Sequence, residues 1–439
     1  MKKIVFAFFF GLSAMLTYAQ LKTPEWVQNA TIYEVNVRQF TPEGTFSAFE
    51  KHLPRLKNMG VDIIWLMPIH PIGELNRKGS LGSYYAVRDY RGINPEFGSH
   101  DDFAHLVDAA HQLGMKVIID WVANHTSPDA VWIEEGKLDW YTLDSMGKVQ
   151  PTLGTDWWDV ADLNYDNADL RNEMIACMEY WVRDFDIDGY RCDVAGWVPM
   201  DFWNAARASL DQIKPVFMLA EAEGKELHSA FEMTYGWEFH HIMNEIAKGE
   251  KNAADVIAFY EKTKLPTGAF HMNFTSNHDE NSWNGTEMER MGEARFALAV
   301  LAATIEGMPL VYNGQETSLD RRLKFFDKDS INWDKMDLVD FYSRLLHLHQ
   351  SNEALHVGLE QTEPRFLSTK DQKEVLVFER KAGENRVLVL LNLSNSTQKV
   401  KVTDVMQGIF KNLFEGEKVV LKTNQSIMLK PWGYIVYEQ

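Results

Sequence analysis

Apolar and polar positions in this chain alternate in two rhythms that succeed one another. Residues 30–37 (ATIYEVNV) are β-branched and aromatic and predict a strand. Behind them Phe46, Phe49, Leu53, Leu56 and Met59 recur at helical spacing until Gly60 stops them. Residues 61–66 then form a continuous apolar strand. The succession returns as a helix over 102–113 closed by Gly114 and the strand Lys116–Trp121, as a helix over 170–185 and a strand at 187–193, and as a helix over 202–213 and a strand at 216–220. Short strands at 231–233 and 271–276, a helix over 293–304, a strand at 309–312 and a helix over 338–349 complete the series. Strands that read as unbroken apolar runs and alternate with helices imply a parallel sheet covered on both faces. Eight such repeats point to an α/β fold closed into a (β/α)8 TIM barrel, with an open doubly wound sheet as the alternative.

Two stretches break the repeat. Residues 126–169, rich in Trp, Asp and Gly, are too long for an ordinary connection after the third strand, and read as a lobe projecting over one rim. From about Glu353 the rhythm becomes short strands at 374–380, 386–393, 398–402 and 426–428 separated by polar turns, the sign of an all-β sandwich. The expected organisation is therefore 1–19 as a leader, 20–352 as the barrel with its inserted lobe, and 353–439 as a C-terminal β-sandwich domain.

Composition narrows the function. The chain has 45% hydrophobic and 24% charged residues, an ordinary globular balance that sets disorder aside. Residues 1–19 carry Lys2 and Lys3, an apolar run too short to serve comfortably as an anchor, and Thr17-Tyr18-Ala19 before Gln20. That is the layout of a cleaved secretory signal, so a soluble exported protein, periplasmic or extracellular, without an integral membrane segment is expected. Cleavage would take the formal charge from −19 to −21, which disfavours nucleic acid and anionic membranes and suits a neutral ligand. The two cysteines, Cys177 and Cys192, make no disulfide framework, and no CxxC or HExxH spacing supports zinc.

The candidate chemistry centres on Ile187-Asp188-Gly189-Tyr190-Arg191-Cys192-Asp193. In a strand, Arg191 and Asp193 share one face and Tyr190 and Cys192 the other. The guanidinium is expected to lower the pKa of Asp193, as an ionised nucleophile requires. Taken alone the pair reads as a structural ion pair; the other strand ends change that. Asp120-Trp121-Val122-Ala123-Asn124-His125 follows the third strand, Glu221 the fifth and Asn277-His278-Asp279 the seventh. In a β/α barrel all of these converge on the rim formed by the C-terminal ends of the strands.

At these residues the chain resembles the α-amylase family of glycoside hydrolases and transglycosylases. DWVANH at 120–125, GYRCDVAGW at 189–197, LAEAE at 219–223 and FTSNHD at 274–279 look like its four principal motifs, in order; VADLN at 160–164, GMPLVYNGQE at 307–316 and SYYAVRDYRGINPEFG at 83–98 resemble further ones. The resemblance implies Asp193 as nucleophile, Glu221 as acid/base and Asp279 as the carboxylate holding sugar hydroxyls. Arg191, His125 and His278 orient the nucleophile and bind the sugar, with Tyr85 stacking under it. A retaining mechanism needs one ionised and one protonated carboxyl about 5–5.5 Å apart, and the apolar approach to Glu221 favours its protonated form. Glu223 stands two residues on and competes for the acid/base role. Gly196 and Trp197 replace the Lys-His of classical members, whose His helps to bind calcium. Asn124 and Asp162 match other calcium positions, leaving open an ion there or direct hydrogen bonds. Trp157, Trp158 and Trp197 offer either sugar platforms or packing, and Asp62 and Asp89 read as loop or strand-end anchors. The reading is a retaining glycosidase acting on α-linked glucans or maltooligosaccharides and requiring no organic cofactor. A transglycosylase or exo-acting α-glucosidase on the same machinery is the alternative, and a noncatalytic glycan-binding protein the rival from another class.

Overall fold

The computed structural model describes residues 21, 23–359, 362–368, 373–401, 408–422 and 424–439. The expected leader at 1–19 lies outside the described residues, as does the last residue of the strand expected at 398–402. Eight parallel strands close into a barrel: β1 Ile32–Val35, β2 Ile63–Leu66, β3 Lys116–Trp121, β4 Gly189–Cys192, β5 Phe217–Ala220, β6 Met233–Tyr235, β7 Phe270–Asn273 and β8 Met308–Tyr312. Neighbours in sequence order pair all the way round, and β8 returns to β1 through Leu310 opposite Ile32.

The period of two along each strand sorts the residues. Ile32, Ile63, Ile118, Leu219, Met272 and Leu310 fill the interior, whereas Tyr33, Ile64, Ile119, Met218 and Val311 face the surrounding helices. Toward the C-terminal ends the inward positions turn polar. Glu34, Asp120 and Arg191 are completely buried there, and Asp120 lies beside Arg191 in the β3–β4 register. Helix ends carry the expected signals. Ser99 and Asp102 form a capping box for His100–Gln112, and Asn167 accepts two backbone N–H groups at the start of Ala168–Asp184.

Three local expectations are corrected. The apolar rhythm from Phe46 to Met59 is divided between the helices Phe46–Glu50 and Leu53–Met59, because Pro54 lacks the N–H a continuous helix would use and starts a new one instead. The sixth strand begins at Met233 rather than Phe231. Glu232, just before it, is buried in an ion pair with Arg207 at 2.7 Å and accepts the Met218 N–H, so it holds β6 to β5 from outside the strand. The helices Trp237–Lys248 and Ala253–Lys262 between β6 and β7 were not predicted.

In the C-terminal part β9 Arg365–Phe366, β10 Val375–Ala382, β11 Asn385–Asn392, β13 Gly408–Asn412, β14 Lys418–Leu421 and β16 Tyr434–Glu438 form one sheet, and β12 Gln398–Lys401 pairs with β15 Ser426–Leu429 in another. Val377, Leu388, Leu390, Val400 and Leu429 fill the space between the sheets. The opposite face of the larger sheet, with Phe378, Val387 and Val389, joins the barrel's outer core. Among the described residues no helix is long and apolar enough to cross a membrane.

Gly189 opens the strand that carries Arg191, at φ +152°, and a Cβ there would come within 1.8 Å of the Phe217 carbonyl oxygen on β5. Backbone of an adjacent barrel strand cannot give way, so Gly189→Ala is expected to cost roughly 4 kcal/mol or more. A thermal melt of the purified variant within a degree or two of the parent would contradict this.

Candidate active site

Arg191 projects from β4 into the polar end of the barrel, where it has no exposed surface. One terminal nitrogen lies 2.8 Å from Asp120 Oδ1 and 3.1 Å from Asp193 Oδ1, and the other lies 2.7 Å from Glu221 Oε1. Its Nε donates to the Tyr235 hydroxyl at 3.1 Å, and the guanidinium carbon sits 5.1 Å from the centre of the Trp65 ring. Asp120 and Asp193 accept hydrogen bonds from one nitrogen and Glu221 meets the other as an ion pair, so one guanidinium gathers three carboxyls from three strand ends.

The chain after Asp193 completes the arrangement. Asp193 still pairs through its N–H with Trp121, but Val194 turns into the left-handed region at φ +36°. For a β-branched residue this costs on the order of 1–3 kcal/mol. In that turn the Val194 N–H points at Glu221 Oε2, 2.8 Å away. Asp193 and Glu221 thus face one another across the Arg191 guanidinium, 3.1 and 2.7 Å from its two terminal nitrogens.

A second cluster adjoins the first. His278 donates from Nδ1 to Glu34 Oε1 at 2.5 Å, while its Nε2 lies 2.8 Å from the Tyr85 hydroxyl and 3.4 Å from Asp279 Oδ2. The Tyr85 hydroxyl donates to Asp120 Oδ2 at 3.0 Å, tying the clusters together. The Tyr85 ring stacks on His278 at 5.5 Å and on Phe325 at 6.2 Å.

Electrostatics separates the histidines. Burial alone would neutralise His278, but Asp279 and Glu34 outweigh it and push the imidazole up to about 9, so it is a cation at neutral pH. His125 has no such carboxylate, and burial takes it down to about 3. Burial raises Glu221, with Arg191 opposing and Asp279 assisting. Asp193 departs from the expectation of a lowered pKa. Its burial and the neighbouring Glu221 outweigh Arg191 and raise it well above the usual carboxylate range.

These groups open onto a cleft of about 510 Å³. Tyr85, His125, Asp193, Glu221, His278 and Asp279 all line it, with Arg191 beneath. Glu223 does not enter the cluster; it accepts the Glu238 N–H at the start of the helix Trp237–Lys248. Trp157 stacks on Trp197 at 5.5 Å, and Trp197 is 55% exposed. Asn124 and Asp162 hold the hydroxyls of Thr152 and Thr142 at 3.0 and 2.8 Å, and among the described residues no three His, Cys, Asp or Glu gather as a metal group. Asp62 and Asp89 act as anchors: Asp62 bonds Lys57 and Gln350, and Asp89 accepts the Arg91 N–H. The sequence reading missed Glu34 and gave Asp120 no role. Each is a charge at an inward position of an apolar strand, which was the available signal. Phe325 and Trp283, also lining the cleft, carried none.

Residues 25–347 match the family model for the α-amylase catalytic domain, and residues 365–436 match that for the maltogenic amylase C-terminal domain. The maltogenic α-amylase of Bacillus acidopullulyticus is 25% identical over 95% of this chain and 78% of its own length. The cyclomaltodextrinase of Thermoanaerobacter pseudethanolicus is likewise 25% identical, over 95% of this chain and 77% of its own. Among solved structures, an α-amylase from Lactobacillus plantarum superposes with a TM-score of 0.84 at 31% identity, covering 94% of this chain and 99% of that one. A noncanonic maltogenic α-amylase, AmyB, from Thermotoga neapolitana also gives 0.84, at 30% identity over 93% and 98%.

His278 is held near 9 in the folded chain against an unfolded value near 6.5. Its stabilisation is fully present below about pH 6.5 and is lost as pH rises through about 9. The unfolding free-energy gap between the parent and His278→Asn is therefore expected to be largest near pH 6 and to shrink by roughly 3 kcal/mol above pH 9. A gap independent of pH in urea titrations would reject a cationic His278.

Proposed function

The chain belongs to the α-amylase family, and on that premise we propose that it hydrolyses α-glucosidic bonds of maltooligosaccharides and starch-like glucans with retention of configuration. Asp193 attacks the anomeric carbon while Glu221 protonates the departing glycosidic oxygen. The covalent glycosyl-enzyme is then released by water that gives its proton to Glu221. The observation carrying this reading is the meeting of Asp193 and Glu221 across one guanidinium, 3.1 and 2.7 Å from its two nitrogens, at the floor of the cleft. Val194 N–H orients Glu221, the His278 cation and Asp279 hold the sugar hydroxyls, and Tyr85 stacks beneath the ring. The name of one relative, maltogenic α-amylase, directs the choice of substrates to maltooligosaccharides.

Transfer to a second sugar is the reading favoured by Trp197. Its exposed ring, stacked on Trp157, lies three residues beyond the Val194 turn that positions Glu221. An acceptor resting there would compete with water for the glycosyl-enzyme.

Glu221→Gln is expected to lower kcat on maltoheptaose by about 10²–10⁴. It should impair fluoride release from α-maltosyl fluoride far less, because that leaving group needs no proton. Asp193→Asn should lose both activities, and a tenth of parental turnover in that variant would reject Asp193 as nucleophile. Trp197→Ala is expected to shift products from transfer toward hydrolysis several-fold when glucose is in excess. An unchanged product ratio by chromatography would remove Trp197 from acceptor binding.

A further inference from the structure

Residues 73–86, which follow β2 and return beside Ile72 through the Ile72–Val87 bridge, line the cleft through Lys78, Ser83 and Tyr85. The excursion is tied to both flanking walls. On the lobe side Asn76 Nδ2 donates to the Trp158 carbonyl at 3.2 Å, and Lys78 Nζ lies 2.9 Å from Asp159 Oδ1 and 4.3 Å from the centre of the Trp158 ring. On the side of the loop after β8, Leu81 N–H donates to the Phe326 carbonyl at 2.9 Å, while the N–H and hydroxyl of Ser80 both reach Asp327 Oδ1, at 2.9 and 2.6 Å. Gly79 runs so close to this loop, at φ +61°, that a Cβ would fall 2.4 Å from Phe326 Cβ. The Lys78–Asp159 pair is mostly buried, with side-chain exposures of 16% and 5%.

The chemistry sets the direction in which the glucan lies. Glu221 protonates the departing oxygen, and the turn holding it leads to Trp197, so the leaving portion of the glucan lies on the Trp157–Trp197 side. The retained portion runs the other way, over Tyr85 and onto Phe325. The aromatic wall continues from Phe325 to Trp283 at 5.2 Å and from Trp283 to Phe326 at 5.7 Å, and ends under Lys78. A polymer cut in its middle must pass out through this end. A chain presenting its free terminus need not.

Resting on the hydrolase reading above, we propose that the strap at 74–82, locked by Lys78 and Asp159, is a stop for the non-reducing end of the glucan. It makes the enzyme attack from chain ends and release a short product of set length.

The test compares p-nitrophenyl maltoheptaoside with a free non-reducing end and the same compound blocked there by a 4,6-O-benzylidene group. The parent is expected to cleave the blocked compound about 100-fold more slowly in kcat/KM. Lys78→Ala, and the charge-neutral pair Lys78→Met with Asp159→Asn, should each narrow that ratio by about tenfold. The paired variant leaves no buried charge unmatched, so it tests the strap even where Lys78→Ala folds poorly. Equal rates on the two compounds in the parent would overturn end-directed attack. An unchanged ratio in a folded paired variant would overturn the strap as its cause. Failure to cleave even the free-ended compound would instead overturn the hydrolase reading itself, so the two failures are distinguishable.

Discussion

A single buried guanidinium makes the polar end of this barrel tenable. Asp120, Asp193 and Glu221 come from three different strand ends, and none could be held ionised at this depth without a counter-charge. Arg191 suits the position because its planar fork presents several donors at fixed angles, whereas a lysine would offer one mobile point charge. Its placement in turn depends on Gly189, which lets β4 approach β5 closely enough for the two strand ends to meet. The catalytic arrangement and the closure of the barrel are thus parts of one packing problem.

The charge balance around the site explains its titration. Five carboxyls, those of Glu34, Asp120, Asp193, Glu221 and Asp279, face two cations, Arg191 and His278. Burial raises Glu34, Asp120, Asp193 and Glu221 alike, because a low-dielectric site disfavours their charged forms. Arg191 and His278 decide where the remaining anions sit. Reading Arg191 against Asp193 alone therefore pointed in the wrong direction; burial first, then the neighbouring Glu221, with Asp120 adding to them, reverse the outcome.

Much of this was legible in the sequence, for identifiable reasons. The eight strands of the barrel follow from apolar runs alternating with helical periodicity, signals that survive because both faces of a parallel sheet are buried. Six of the seven residues expected at the site line one cleft and the seventh lies beneath it, since strand ends of a barrel converge whatever their spacing in sequence. What stayed hidden depends on contacts between distant loops. That Glu223 caps a helix, and that Asn124 and Asp162 bind threonine hydroxyls, follow from the positions of partners 15 to 28 residues away. The strap has no local signature either. Lys78 is an ordinary loop lysine until Asp159 and Phe326 are brought against it.

The excess of acid groups also defines what the site is complementary to. A free sugar is neutral, and binding it leaves the repulsion among the carboxyls unrelieved. Departure of the glycosidic oxygen places positive charge on the anomeric carbon and ring oxygen, in the space bordered by Asp193, Asp279 and Glu221. Only then does the electrostatic field of the pocket meet a partner of opposite sign, so the attraction is stronger in the transition state than in the ground state. Arg191 keeps that field from becoming indiscriminate. By holding Asp120 and the bases of Asp193 and Glu221 it cancels the charge below the sugar and leaves the uncompensated part at the cleft surface, where the reacting carbon passes.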